Sequence, residues 1–312
     1  MRATTLATGL LLFLGFAREL PAQDLVPRAY VITPVHSNAV VLTYTFLNGA
    51  VLFDPSAPIT GASGSINVPS FSIYHALNFF GRSANFTATL PYAEAHFHAL
   101  VSGSEVALYR SGLTDMSFRL AVNLFGGPAM DLEQFRAWKQ KRLLGASLKV
   151  IAPTGQYDPT KLVNNGSNRW AFKPEFGYSH RRGHWIVDAY AAVWFFTTNQ
   201  DYFDHNAVFP GSRTQTQAPI GAFEGHFSYD IKPRFWLSLD SNFWVGGRTT
   251  VGGIENLASL QRNSRIGGTA SVPLTAHQSV KVSYSHGTYV KYGGDYQNVS
   301  VGWQYSWLGH PF

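Results

Sequence analysis

Arg169-Trp170-Ala171-Phe172-Lys173-Pro174-Glu175-Phe176-Gly177-Tyr178-Ser179-His180, followed by the turn Arg181-Arg182-Gly183 and by His184-Trp185-Ile186-Val187-Asp188-Ala189-Tyr190, decides the fold of this chain. Successive side chains on a β-strand face opposite ways, so a strand between two unlike surroundings reads with a period of two. In the first segment Trp170, Phe172, Pro174, Phe176 and Tyr178 share one face, and Arg169, Lys173, Glu175 and Ser179 share the other. After the turn, Trp185, Val187, Ala189, Ala191, Val193 and Phe195 oppose His184, Asp188 and Tyr190. The pattern recurs in Ala218–Ile231, in Arg234–Val245 and in Asn298–Trp307. A soluble sandwich alternates too. Three further features point to a membrane: aromatic residues crowd the ends of the apolar faces, the opposite faces hold charges of both signs, and tight turns alternate with long loops. Arg181–Gly183, Ile231–Pro233 and Thr275–His277 are short, whereas Pro153–Asn168, Thr198–Gln217 and Gly247–Asn263 are long.

The predicted strands are Asn38–Leu47, Val68–Phe80, Ser83–Tyr92 continuing to about Val101, Leu113–Phe125, Leu143–Ala152, Arg169–His180, His184–Phe196, Ala218–Asp230, Arg234–Val245, Arg265–Leu274, Gln278–His286 and Tyr296–Trp307. The fold class is therefore all-β: an antiparallel up-and-down transmembrane β-barrel of about twelve strands, an even number that leaves both termini on the periplasmic side. Val51-Leu52-Phe53 either extends the first strand or forms a loop strand of its own.

Composition agrees. Of 312 residues, 15% are aromatic and 29 are glycine, against 24 Lys plus Arg. The net charge is +6, but the basic residues are scattered rather than clustered, so no nucleic-acid partner is expected. The chain has no cysteine, which rules out thiolate metal sites and disulfides. Residues 1–22 read as a signal peptide, with Arg2, the apolar run Leu6–Ala17 and Ala22 before Gln23. Residues 23–37 form a periplasmic or lumenal segment, and 38–312 the barrel in the Gram-negative outer membrane. Between Gly127 and Lys141, Leu132, Phe135 and Trp138 recur at helical spacing after Asp131, which predicts a short periplasmic helix near 131–141. It is a flap on the rim or a lid on the pore.

Several stretches resemble a family of outer-membrane transporters associated with the meta-cleavage pathway of phenol degradation. These are Ile151-Ala152-Pro153-Thr154-Gly155-Gln156-Tyr157-Asp158, Lys161-Leu162-Val163-Asn164, Gly166-Ser167-Asn168-Arg169-Trp170 and Phe172-Lys173-Pro174-Glu175. Leu52-Phe53-Asp54-Pro55, Gly81-Arg82-Ser83-Ala84 and Gly246-Gly247-Arg248-Thr249-Thr250 are similar to it as well. The resemblance implies passage of small hydrophobic or aromatic compounds. The last strand, with Gly302, Tyr305 and Trp307, resembles the signal read by the barrel-assembly machinery, although Leu308–Phe312 follow it.

Catalytic motifs are weak. Gly61-Ala62-Ser63-Gly64 lacks the nucleophile-elbow spacing. His96 and His98 lie two apart on one strand, a metal-ligand spacing, but polar lining is the commoner role of such histidines. No enzyme activity, cofactor or metal is expected. The partners are outer-membrane lipid, the assembly machinery and a small-molecule cargo. By parity the lumen is lined by Asp115, Arg119, Lys173, Glu175, Asp188, Glu224, His226, Asp240, Arg265 and Lys281, with Lys149, Arg169 and Arg234 in the same rows. Tyr74, Tyr190, Trp194, Trp236 and Trp244 add aromatic surface. Three functions fit this lining: a passive channel for small molecules, aromatic or phenolic ones among them; a barrel-embedded hydrolase; or a structural barrel with a packed lumen. With no plug domain or ATP motif, energy-coupled uptake is not expected.

Overall fold

Alternation of apolar and polar side chains over twelve strands can close on itself in lipid only as a barrel, because that alone leaves no unpaired edge. The computed structural model describes residues 25–52, 59–101, 103–205 and 210–309. The signal-peptide reading, the Phe53-Asp54-Pro55 stretch and the tail His310–Phe312 lie outside the described residues. The strands are β1 (Ser37–Leu52), β2 (Ile59–Phe79), β3 (Arg82–Val101), β4 (Ser104–Leu113), β5 (Ser117–Phe125), β6 (Arg142–Ile151), β7 (Ala171–Arg182), β8 (Trp185–Phe196), β9 (Gln215–Gln217), β10 (Ile220–Lys232), β11 (Phe235–Gly246), β12 (Thr249–Val251), β13 (Ile254–Asn256), β14 (Gln261–Pro273), β15 (Gln278–Val290) and β16 (Gly293–Leu308).

Each wall strand is antiparallel to the next, and β16 pairs with β1 along its whole length, from Ser37 opposite Leu308 to Leu52 opposite Gly293. β4 and β5 both pair with β3, at different heights, so they are two pieces of one wall strand; the thirteen-stranded sheet is a closed barrel of 12. The break between them falls at 114–116. All twelve strands read from the sequence are present. The differences lie at the outer ends, where β1 runs on through Val51-Leu52, β2 begins at Ile59, and β4 rises beyond Leu113. These extensions alternate poorly because they stand above the bilayer, where neither face is forced to be apolar. β9, β12 and β13 form a small separate sheet in the long loops.

The outward face is apolar and exposed: Leu42, Tyr44, Phe176, Val187, Phe223 and Leu239 are among residues that a soluble protein would bury, and Leu239 is 66% exposed. Aromatic residues crowd the end of the wall that carries the short turns, with Trp185 stacked on Phe227 at 4.6 Å and Tyr305 on Trp307 at 6.0 Å. That belt and the closed sheet place the protein in the outer membrane, short turns towards the periplasm.

Helix α1 (Leu132–Ala137) interrupts the periplasmic side. Asp131 caps it: its carboxylate accepts from Gln134 N at 2.8 Å while Gln134 Oε1 accepts from Asp131 N at 3.2 Å. Phe135 and Trp138 pack against a buried cluster of Ile32, Met130 and Leu143. The helix therefore holds the chain that precedes β1.

Candidate functional site

That preceding chain, residues 25–36, lies inside the barrel. Its anchor is Tyr30, which is 1% exposed. The phenol ring rests on Gly145 of β6 and Gly177 of β7, which are register partners. A Cβ at either position would overlap the ring. The Tyr30 hydroxyl donates to Glu175 Oε1 at 3.0 Å and to Ser147 Oγ at 3.2 Å, and the Tyr190 ring stands edge-on at 5.3 Å. Gly177 stands in the sequence as a residue without a side chain between the inward Glu175 and Ser179. What fills that space is not legible there, because the partner is more than a hundred residues away.

Around this anchor, charged side chains of the wall take up the segment's backbone. Arg28 N donates to Asp188 at 3.3 Å, Ala29 N to the Tyr190 hydroxyl at 3.0 Å and Val26 N to Glu224 at 3.5 Å, while Arg119 donates to Ala29 O at 3.3 Å. The Arg28 guanidinium pairs with Asp230 at 2.7 Å and lies over the Trp236 ring at 4.4 Å. Further on, Thr33 Oγ1 is 2.8 Å from the Tyr74 hydroxyl, Val35 N donates to Met130 O at 2.8 Å and His36 N to Ala76 O at 3.1 Å.

The charges behind the segment are mutually compensated, as buried ions must be. Lys173 lies 2.9 Å from Glu175 and 3.0 Å from Glu224. Arg119 is 3.5 Å from Glu175. His226 Nδ1 is 2.8 Å from Asp240, whose other oxygen accepts from Thr269 at 2.7 Å, and His226 Nε2 is 3.5 Å from Glu224. Seven of the residues predicted from parity (Arg119, Lys173, Glu175, Asp188, Glu224, His226 and Asp240) thus come together in one cluster. Arg265 is buried higher up, donating to Ser285 Oγ at 3.0 Å. Lys281 stands apart on the inward face of β15, exposed.

Asp115 and Arg234 are corrections. Parity carried Asp115 into the row of Arg119, but it sits in the break between β4 and β5, where the alternation no longer applies. Its carboxylate accepts from Gly155 N at 2.8 Å, Ser167 N at 2.8 Å and Ser167 Oγ at 2.5 Å. It latches the outer loop rather than lining the lumen. Arg234 belongs to a turn and donates to Thr275 O and Ala276 O of the next one, at 3.0 and 2.6 Å.

The latched loop, 152–170, carries the motifs that resemble the transporter family, and their roles here are structural. Gly155 packs directly on Gly166 with no room for a side chain. Asn164 bonds Asp158 N and O, and Asn199 Nδ2 donates to the Tyr157 hydroxyl at 2.9 Å. Asp158 itself is held down to about 2 by a hydrogen bond from Thr160 and by the Lys161 ammonium 3.0 Å away. Leu162 packs on Tyr202, Phe203 and Val251, which joins the outer loops into one cover.

Between that cover and the charged cluster lie two apolar clusters, the first of them also carrying Arg169 over the Phe196 ring at 4.4 Å and Lys149 over the Trp194 ring at 5.8 Å. Ile151, Ala171, Trp194, Ile220 and Trp244 are buried together with Phe196 on one side. Leu47, Val51 and Tyr296, with Ile66, Val68 and Phe97, gather on the other. Below the second cluster the wall turns to hydroxyls: Thr45 meets Ser300 at 3.1 Å and Ser72 meets Thr89 at 2.8 Å, all half-buried. The lumen is therefore filled along β5–β11 and lined by half-open, small polar residues along β15, β16 and β1–β3.

No group of His, Asp or Glu among the described residues has the arrangement of a metal site. His96 faces outward, 3.3 Å from Glu94.

The sequence profile of the family described as "Putative MetA-pathway of phenol degradation" matches residues 58–303. Among solved structures, the chain is similar to an outer-membrane channel from Pseudomonas putida F1, with a TM-score of 0.75 at 17% identity over 91% of this chain and 100% of that one. The β-domain of the Bordetella autotransporter BrkA gives 0.52 at 12% identity, over 87% and 100%. No curated protein matches by sequence. At these identities the likeness concerns the fold.

Proposed function

From the premise that the chain belongs to this phenol-degradation family, we propose that it is an outer-membrane channel for passive uptake of small aromatic and phenolic compounds. The observation that carries the reading is the open side of the lumen, where an apolar zone of Leu47, Val51, Ile66, Val68 and Phe97 stands above hydroxyls of Thr45, Ser72, Thr89 and Ser300. An aromatic ring leaves water for the first zone, and a phenolic hydroxyl finds partners in the second. A purely charged lumen would exclude the ring, and a purely apolar one would trap it. The similar channel from Pseudomonas putida F1 supports the reading at the level of fold.

The hydrolase alternative is disfavoured by the inward His–Asp pair. His226 gives Nδ1 to Asp240, as a triad would, but its Nε2 faces Glu224 and not a serine. The packed-barrel alternative is disfavoured by the half-open wall. Uptake of phenol into vesicles whose outer leaflet is lipopolysaccharide, with and without the purified barrel, tests the proposal. Faster uptake with the barrel is expected, and equal uptake in both would reject it.

A further inference from the structure

We propose that Lys281 makes the open side of the lumen anion-selective, and that small aromatic carboxylates are the cargo class this side favours. The proposal rests on the channel reading above and adds a charge preference to it.

The five neighbouring strands β15, β16, β1, β2 and β3 contain four ionised side chains, namely Arg82, Glu94, Lys281 and Asp295. Arg82 stands at the periplasmic turn. Glu94 pairs in register with Asn67, which accepts from the outward Tyr44, so Glu94 faces away from the lumen. Asp295 lies at the outer end of β16, seven residues from the partner of Lys281, or about 23 Å along the strand. Lys281 alone projects into the inner half of the open lumen.

The acid that acts on that charge, Asp240, is already engaged by His226 at 2.8 Å and by Thr269 at 2.7 Å. One register row runs Ser70, Thr43, Gly302, Lys281, Ser271, Trp236 around the wall. Gly302 contributes no side chain beside the ammonium, and Thr43, Ser70 and Ser271 contribute only hydroxyls. Asp230, next after Trp236 in the row, is taken by Arg28 at 2.7 Å and by Arg181 at 2.5 Å. Among the described residues Lys281 has no hydrogen bond and no ion pair, and its side chain is exposed. The acids of the opposite wall are engaged by Arg28, Arg119, Lys173 and His226 or by the segment's own amides, so none of them is held at contact distance by Lys281.

A unit charge acting across a water-filled gap of about 8 Å raises the local anion population and lowers that of cations, together about fivefold at low salt. A carboxylate seated at Lys281 would leave its ring pointing towards Leu47, Ile66, Val68 and Phe97, where apolar surface is available. Aromatic amines would meet the same surface and the wrong charge.

The test is the reversal potential of the full-length barrel in planar bilayers under a potassium chloride gradient, repeated with potassium benzoate and with benzylammonium chloride. Wild type should favour chloride and benzoate over their cations by about fivefold. Lys281→Gln should remove the preference, Lys281→Glu should invert it and Lys281→Arg should keep it, with unchanged heat-modifiable migration as the check of folding. A conducting wild type without anion preference overturns the inference and leaves the channel reading standing, as does a preference that survives Lys281→Gln. Absence of both conductance and phenol uptake overturns the two together.

Discussion

Gly177→Val should undock the N-terminal segment without touching it. The new side chain would occupy the seat of the Tyr30 ring and press on Tyr190, whose ring carbon already lies 2.9 Å from the position of a Cβ there. Valine suits a strand, so the barrel itself should form. The segment is held chiefly by Tyr30 and Ile32, both nearly fully buried. Losing an aromatic anchor of this kind costs about 3–5 kcal/mol, and each 1.4 kcal/mol is a factor of about ten in an equilibrium. The ratio of docked to undocked segment should therefore fall at least about a hundredfold. Because the chain has no cysteine, Ala29→Cys provides a clean reporter. The rate of its labelling by a membrane-impermeant maleimide should rise about a hundredfold in the Gly177→Val background, and conductance should rise with it. Tyr30→Ala should behave alike, and combining it with Gly177→Val should add little. Unchanged labelling and conductance in a folded Gly177→Val barrel would refute the idea that the paired glycines hold the segment.

Lys173→Met should leave Glu175 and Glu224 buried without their common cation, lowering stability by about 3–5 kcal/mol in urea unfolding from lipid; a loss below about 1 kcal/mol would mean that lumenal water already solvates them. Asp115→Ala should release the loop 152–170, seen as rapid proteolysis between Asp158 and Asn164 while the barrel stays folded. Leu239→Arg, on the lipid face, should cost about 2–4 kcal/mol if the residue sits near the bilayer midplane, whereas the inward Ser283→Arg should cost far less. Asp158 is depressed to about 2, so the contact it makes with Thr160 and Lys161 is present above the ordinary carboxylate range and lost as pH falls through about 2. Thr160→Val should move its NMR titration midpoint back up, and no movement would show that Lys161 alone sets it.

How much of this was legible in the sequence differs between wall and lumen. The wall is dictated by alternation: Trp185, Val187 and Val193 face lipid, and Asp188, Tyr190 and Trp194 face inward, as their order along the strand requires. Parity breaks where the geometry that produces it breaks, which is why Asp115 was misassigned at the gap between β4 and β5. It also gives faces and not partners. That Lys173 bridges two acids from different strands, or that Tyr30 rests on glycines of β6 and β7, depends on closure of the barrel and on a segment with no periodicity of its own. The helix was readable from Asp131, Phe135 and Trp138, but its role in clamping Ile32 was not, since nothing local marks what an apolar helix face will cover.

The central claim is that a small aromatic molecule passes through the half-filled lumen. A crystal of the barrel soaked with 4-bromophenol tests it most directly, because anomalous scattering from bromine locates the ring without reference to any other density. Bromine should lie inside the wall, between the Trp194–Trp244 cluster and the Leu47–Phe97 cluster, with the hydroxyl directed to the Thr and Ser residues below. Bromine found only on the lipid-facing surface, with the lumen empty of it, would contradict the account.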